Sequence, residues 1–234
     1  KYTTELKDKI NLHKFCQFKF YEQFNKLKDY CHKNKIKIIG DVPIYVPLDS
    51  VDVWGSTEIF QLDENYQPTA VAGVPPDAFR ADGQLWGNPL YNWEKMEKDD
   101  YKWYINRLGA AGKLFDVIRI DHFRGLESYY SVPANETTAK NGKWVKGPDM
   151  KLINAIKKYL PNIEFIAEDL GYLTPEVIAM KEGSGFPGMK ILEFAFDKDN
   201  SLDLPHNYER NSVCYPGTHD NEVLTKWSKD LPQD

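Results

Sequence analysis

The 234-residue chain carries 30 Lys and Arg against 35 Asp and Glu, a net charge of −5 at pH 7. At about 150 residues per domain, this length gives one large domain or a domain and a half, which excludes a mini-protein. The basic residues are spread along the chain and no apolar run approaches the roughly 20 residues that span a bilayer, which argues against nucleic-acid and membrane partners.

The first predicted element is an amphipathic helix over residues 13–33, whose apolar side chains recur at helical spacing: Phe15, Phe18, Tyr21, Phe24 and Leu27. A β-branched run at 36–39 follows, closed by Gly40 and Asp41. The chain then repeats one unit, an apolar strand with a polar or acidic residue at its C-terminal end, followed by a loop and a helix. Strands are predicted at 115–120, 163–167, 189–196 and 212–215, and helices at 150–160 and 174–183.

Continuous apolar strands separated by helices predict an α/β fold with a parallel sheet covered on both faces. A βα barrel and an open doubly wound sheet satisfy this pattern equally. The interval between Asp41 and Phe115 is longer than one crossover helix needs and is rich in Pro, Gly, Trp and Tyr. We therefore expect an inserted loop or subdomain at about 42–114, where α/β proteins often place ligand sites.

Three carboxylates lie just past apolar strands: Asp121, Glu168 and Asp220. The carboxyl ends of the strands of a parallel barrel open onto one face, so these side chains should converge, and paired carboxylates suggest glycosidic-bond chemistry. Each acid alone is more often a turn residue or a helix N-cap. Arg119 lies two residues before Asp121, on the same side of the strand, and we expect its cation to hold Asp121 ionised.

Aromatic and polar residues near these acids are further candidates. Asp41 and Tyr45 are predicted on the pocket side of their strand, although this segment is also a plausible structural turn. Trp86 is a candidate sugar-stacking wall, whereas Trp54 and Trp93 are equally well explained as core anchors. The sequence shows neither the dense oxygen ligands of a calcium loop nor a glycine-rich phosphate loop, so we predict no metal and no cofactor. Three cysteines without paired spacing favour a reducing, cytoplasmic setting.

Five segments carry a specific resemblance: 39–46 (IGDVPIYV), 83–91 (GQLWGNPLY), 119–125 (RIDHFRG), 167–171 (AEDLG) and 217–221 (GTHDN). In order and spacing they resemble amylomaltase, the 4-α-glucanotransferase family (glycoside hydrolase family 77), over essentially the whole chain. The resemblance implies an α-amylase-type (β/α)8 TIM barrel, present here as a partial barrel of about strands 3 to 7, with the inserted segment after strand 3. Residues 1–234 would then all belong to the catalytic barrel domain.

The resemblance also implies roles for single residues. Asp121 would be the nucleophile, Glu168 the general acid/base and Asp220 the transition-state stabiliser. The candidate substrate-binding residues are Asp41, Tyr45, Trp86, Asn88, Arg119, His219 and Asn221. The chain departs from the family at 75–80, where it has PPDAFR in place of the common PPDYFS, and the ring missing at Ala78 bears on acceptor preference.

The activity implied is transfer of a segment of an α-1,4-glucan or maltooligosaccharide to a new acceptor, by a retaining double displacement. Two alternatives stay open: a retaining α-glucan hydrolase of the same clan, and a non-catalytic glucan-binding module. Five strand signals out of eight cannot close a barrel. We therefore expect a piece of a longer polypeptide, with the remainder of that polypeptide as its partner, and poor folding or no activity in isolation.

Overall fold

The computed structural model describes residues 1–77, 80–171, 173–196 and 203–231. Its strands are β1 (Ile39–Val42), β2 (Ala70–Val74), β3 (Gln84–Pro89), β4 (Val117–Ile120), β5 (Ser128–Pro133), β6 (Lys143–Lys146), β7 (Glu164–Ala167), β8 (Gly188–Ile191) and β9 (Ser212–Tyr215). Its α-helices are α1 (Tyr2–Glu5), α2 (Lys7–Lys33), α3 (Val51–Gly55), α4 (Trp93–Glu97), α5 (Lys102–Leu114), α6 (Met150–Tyr159), α7 (Pro175–Ser184) and α8 (Leu224–Asp230). Short 3₁₀ turns follow β4 at Phe123–Leu126 and β8 at Leu192–Phe196.

Two parallel sheets form the framework of the fold. One has the strand order β1-β4-β7 and the other pairs β8 with β9. At the end of β7, Ala167 N donates a hydrogen bond to Pro187 O (2.9 Å), which connects the two sheets. The strands therefore follow one another in sequence order, without the reversal that a doubly wound sheet requires. Of the two architectures that the sequence pattern allows, this order favours the barrel type.

The strand register aligns the carboxyl ends of the central strands. Val42 lies opposite Ile120, and Ile120 lies opposite Ala167. Asp121 and Glu168 follow these strands directly, so both begin at the same edge of the sheet.

The two faces of β4 pack against different clusters. Ile118 and Ile120 are fully buried in the main core, together with apolar residues of the surrounding helices. Val117, on the other face, belongs to a second cluster with Ile166 and Met189. Arg119 alternates onto this second face, because successive side chains of a strand point to opposite sides.

A four-stranded antiparallel sheet with the order β3-β2-β5-β6 completes the fold. Strands β2 and β3 come from the predicted inserted segment at 42–114, whereas β5 and β6 come from residues 128–146, where the sequence analysis predicted no strand. Helix α5 also falls within 42–114, but it contacts β1 and β4 as a crossover helix. The antiparallel sheet is therefore assembled from two separate stretches of the chain.

Two predicted strands differ most from the structure in their bounds. β1 begins at Ile39 rather than at residue 36, because the N–H of Ile38 donates to the Asp116 carboxylate (2.8 Å) ahead of the ladder with β4. It therefore contains Asp41, which the sequence had placed after the strand. The strand predicted at 189–196 ends at Ile191 and continues as a 3₁₀ turn, in which Glu193 N donates to Pro216 O (3.1 Å).

Helices α6 and α7 confirm the predicted helices. The Thr174 side chain accepts from Val177 N and Pro175 occupies the first turn of α7, which ends at a left-handed Gly185, two residues later than predicted. Helix α2 begins earlier than predicted, at Lys7, and contains no buried residue. In the described ranges, every helix is too short or too polar to cross a membrane.

Gly40 provides a direct test of the packing between β1 and Phe115, at the end of α5. It is buried, and a Cβ at this position would overlap the ring of Phe115. Gly40→Ala should therefore lower the free energy of unfolding by about 1–3 kcal/mol, measured by urea denaturation. Gly55→Ala is the matched control, because no atom lies within 4 Å of its added Cβ, and it should change the free energy by less than about 0.5 kcal/mol. Equal stability of the two variants would contradict this packing.

Candidate active site

Arg119 joins two acidic side chains at the carboxyl edge of the sheet. Its Nη1 donates to Asp41 Oδ1 at 2.6 Å and to Asp121 Oδ1 at 2.8 Å. The register explains this arrangement, since Asp41 pairs with Arg119 across β1 and β4 and Asp121 follows two residues later on the same side. The Arg119 Nε also lies 3.2 Å from the Met189 sulfur, so the guanidinium is held between the acids and the second apolar cluster.

Burial raises the pKa of Asp121 above its ordinary value, and the negative charges of Asp41 and Asp220 act in the same direction. Arg119 opposes this shift by its charge and its hydrogen bond. From the sequence alone, Arg119 is predicted to hold Asp121 ionised, but the loss of hydration on burial outweighs the guanidinium and the net shift of the Asp121 pKa is upward.

Glu168 is held in place by two backbone donors. Its Oε2 accepts from His122 N at 2.8 Å and its Oε1 accepts from Leu170 N at 3.1 Å. Burial raises the pKa of Glu168 to about 7, and the negative charge of Asp121 adds to that increase. The carboxyl is therefore divided between its protonated and ionised forms near neutral pH.

His219 and Asp220 lie on an exposed loop that follows β9. The Asn221 Oδ1 accepts from the Thr218 N–H and hydroxyl, both at 2.9 Å, which fixes the turn. The side chains of His219 and Asp220 are about three-quarters exposed, at 73% and 75%. The charge of Asp220 acts on the pKa of Asp121, so the loop is within electrostatic reach of the Arg119 cluster. Asn221 uses its amide oxygen inside the turn.

An aromatic wall stands beside these acids. The ring of Trp86 in β3 is partly exposed and meets the His122 ring edge-on, with 4.8 Å between centroids. Asn88 follows two residues later in the same strand and is half-buried. Tyr45 lies in the main core with its ring centroid 6.3 Å from that of Trp86, so it supports the wall from behind more than it forms its surface.

His122 was not among the residues singled out from the sequence. Its backbone is left-handed, with φ 51°, a conformation that is uncommon for residues other than glycine. Burial lowers the pKa of its imidazole to about 4, so the ring is neutral at pH 7. The available signal was its position directly after Asp121, where the strand must turn sharply.

The remaining candidates fall in different surroundings. Trp93 is buried in the main core, as expected of an anchor, whereas Trp54 is 83% exposed. Ala78, where the sequence departs from the family, lies outside the described residues. Among the residues that the structure describes, we find no cluster of three or more His, Cys, Asp or Glu suited to a metal ion.

Comparisons with known proteins agree on one family. The family model for 4-alpha-glucanotransferases, glycoside hydrolase family 77, matches residues 1–234. The chain is 55% identical over 229 residues to a 4-alpha-glucanotransferase of Clostridium butyricum, covering 97% of this chain and 47% of that protein. It is 52% identical over 227 residues to a 4-alpha-glucanotransferase of Streptococcus pneumoniae, covering 97% of this chain and 45% of that protein.

The structure is similar to that of amylomaltase from Streptococcus agalactiae, solved in complex with acarbose, with a TM-score of 0.94 and 45% identity. The match covers 99% of this chain and 47% of that one. Almost the whole of this chain therefore has the fold of the corresponding part of that amylomaltase. The chain spans about half the length of the relatives it matches.

Arg119 can be tested by its electrostatic effect on both acids. Arg119→Met removes a cation that lowers the pKa of Asp121 and of Glu168, so both pKa values should rise. Carbon-13 NMR titration of the labelled carboxyl groups measures this change. Lys146→Met is the control, because it removes a cation from a different acidic cluster, and should leave both values unchanged. Unaltered titration in Arg119→Met would show that the guanidinium does not bridge the acids in solution.

Proposed function

Because this chain belongs to the 4-alpha-glucanotransferase family, glycoside hydrolase family 77, we propose that it is part of an enzyme that transfers a segment of an α-1,4-glucan to a new acceptor glucose or glucan. The donor would be a maltooligosaccharide or a longer glucan, in a reducing, cytoplasmic setting. The similar amylomaltase was solved with acarbose bound, which supports a glucan substrate. The site residues require no metal or cofactor for the steps below.

One observation carries this proposal: Glu168, with a pKa of about 7, stands beside an Asp121 that is hydrogen-bonded to Arg119. A retaining transfer needs one carboxylate that attacks and a second carboxyl group that first gives and then takes a proton. The Arg119 cation favours the ionised form of Asp121, while burial and the negative charge of Asp121 favour the protonated form of Glu168. The two acids are thus suited to different tasks.

In the first step, Asp121 Oδ attacks the anomeric carbon and the glycosidic C–O bond breaks. The proton of Glu168 moves to the departing oxygen, leaving a glycosyl ester on Asp121. Formation of the ester removes the negative charge that raises the pKa of Glu168, so Glu168 can remain ionised. In the second step it takes a proton from the acceptor hydroxyl, which attacks the same carbon and releases Asp121.

The proposed donor side consists of Asp41, Arg119, His219 and Asp220. Asp220 would hydrogen-bond sugar hydroxyls more strongly as the ring flattens toward an oxocarbenium ion, which stabilises the transition state over the ground state. Arg119 would hold the nucleophile at a fixed position through its 2.8 Å hydrogen bond.

The proposed acceptor side is the wall of Trp86, with Asn88 on the same strand. A half-exposed indole offers an apolar face to a sugar ring, and a bound sugar displaces water from the glycosyl ester. This arrangement favours transfer over hydrolysis, the principal alternative. The presence of all three carboxylates argues against a non-catalytic glucan-binding module.

The chain would supply about strands 3 to 7 of the barrel, with all of residues 1–234 in the catalytic domain. Two observations support this. The side chains of Ile39 and Asp41, on the inner face of β1, are exposed, as expected at an edge that lacks its next strand. Helix α2 leaves several aromatic rings exposed, among them Phe18 (63%) and Tyr30 (65%). The remainder of the same polypeptide would cover both surfaces.

The reaction itself is tested with the complete polypeptide and maltotriose. Transfer gives maltotetraose and longer oligomers, whereas hydrolysis gives only shorter products, and chromatography separates the two outcomes. Asp121→Asn should reduce turnover by about 10³-fold or more, because the nucleophile is lost while the pocket remains.

Binding of acarbose by Asp121→Asn, measured by calorimetry, is the control and should persist. Only shorter products from the unaltered enzyme would favour the hydrolase, and binding without any turnover would favour the non-catalytic module. Near-normal turnover of Asp121→Asn would remove Asp121 from its proposed role.

The pKa of Glu168 sets the alkaline side of the pH dependence. Because the general acid must be protonated, kcat/KM for maltotriose should fall as the pH rises through about 7. A glycosyl fluoride donor needs no proton on its leaving group, so the initial release of fluoride should lack this decline. The same alkaline decline with both donors would contradict the assignment of Glu168 as the acid.

A further inference from the structure

A further acid, Glu193, follows strand β8 and has no part in the proposed reaction. It comes two residues after Ile191, the last residue of β8. Met189 and Ile191 both belong to the second apolar cluster, which also contacts Arg119 through Met189. Glu193 is only 5% exposed, so the residue is buried.

Glu193 lies directly against the loop that carries Asp220. Its N–H donates to Pro216 O at 3.1 Å, where the chain leaves β9. A Cβ at Gly217 would lie 2.8 Å from Glu193 Oε1 and 3.0 Å from its Cδ. Only glycine therefore fits at 217 without a shift, and the carboxylate is packed on the backbone at the start of the loop.

The Oε1 of Glu193 is buried and lacks a hydrogen-bond partner in the part of the chain that the structure describes. Glu127, which is equally buried at 5%, accepts from Ser128 and Lys146 instead. An unsatisfied buried oxygen lowers stability, since it has lost water without gaining a donor. A buried carboxylate oxygen without a partner suggests that a hydrogen-bond donor reaches it in another conformation of the site, such as the one that binds substrate.

The loop itself contains suitable donors. Thr218 N is bound by the Asn221 side chain, and Asp220 N is bound by the Thr218 hydroxyl. Across the described ranges, the N–H groups of Gly217 and His219 have no acceptor within hydrogen-bond distance. The unused donor of Gly217 thus lies next to an unused acceptor, the Oε1 of Glu193.

We propose that Glu193 is a positioning residue that accepts a hydrogen bond from the Gly217–His219 backbone when Asp220 engages the donor sugar. The proposal rests on the proposed function and adds to it the group that fixes Asp220 in its working position. Because the contacts of Asp220 tighten as the sugar ring flattens, a hydrogen bond that strengthens with them stabilises the transition state more than the bound ground state, and so contributes to kcat more than to KM.

The test compares Glu193→Leu, which fills the space without an acceptor, with Glu193→Gln, which retains an acceptor oxygen. In the complete polypeptide with maltotriose, Glu193→Leu should lower kcat about 10- to 100-fold, with KM changed less than about 3-fold and Tm equal or higher. Glu193→Gln should retain most of the kcat of the unaltered enzyme. Glu127→Leu is the matched control and should show the opposite pattern, a lower Tm with kcat retained, because it removes the buried carboxylate that accepts from Ser128 and Lys146.

A double-mutant cycle with Asp220→Asn tests whether Glu193 acts through Asp220. If it does, Glu193→Leu should cost little further activity once Asp220 is already altered. Unchanged kcat in Glu193→Leu, a Tm that falls together with kcat, or fully additive losses with Asp220→Asn would each overturn the proposal. If the unaltered enzyme does not transfer glucose units, the proposed function fails instead, so the two failures are distinct.

Discussion

The guanidinium of Arg119 is the interaction on which the arrangement of this site depends. It is fixed by the register of β1 against β4 and by the sulfur of Met189, and it reaches both Asp41 and Asp121. Without it, two carboxylates would adjoin in a partly buried position, where like charges repel and hydration is reduced. The positive charge of Arg119 offsets the repulsion between Asp41 and Asp121. The pairing of β1 with β4 holds Arg119 next to both acids, near the carboxyl ends of these strands.

Different surroundings give the neighbouring acids different properties. Asp121 touches Arg119, whereas Glu168 is held by the N–H groups of His122 and Leu170 and, among the residues that the structure describes, has no cation in direct contact. Burial therefore acts on Glu168 with less opposition, and its pKa rises to about 7. The strained turn at His122 belongs to the same arrangement, because its left-handed backbone presents the N–H that binds Glu168.

The sequence was most informative where local chemistry decides the outcome. Thr174 and Pro175 begin a helix by capping, and Asp121 and Glu168 follow apolar strands, so their common edge could be predicted before the strand order was known. The direction of the pKa shift of Asp121 could not be predicted, because it depends on burial and on two acids far away in the sequence. Glu193 could not be identified from the sequence for a related reason. Its apolar neighbours continue the strand pattern, and only its contact with Gly217 in the structure distinguishes it from an ordinary strand residue. Strand β5 pairs with β2 across about 60 residues of chain, and such distant pairing leaves little local pattern.

The pairing of strands in the antiparallel sheet limits how the enzyme could be redesigned to make products of a different length. β2 pairs on one side with β3, which bears Trp86, and on the other with β5, which starts a few residues after Asp121 and His122. The strand with the proposed acceptor wall and the strand that follows the proposed nucleophile thus belong to one antiparallel sheet. An exchange of the Trp86 region between relatives would disturb that shared pairing unless residues 128–146 were exchanged with it, so the two stretches form a single unit for redesign.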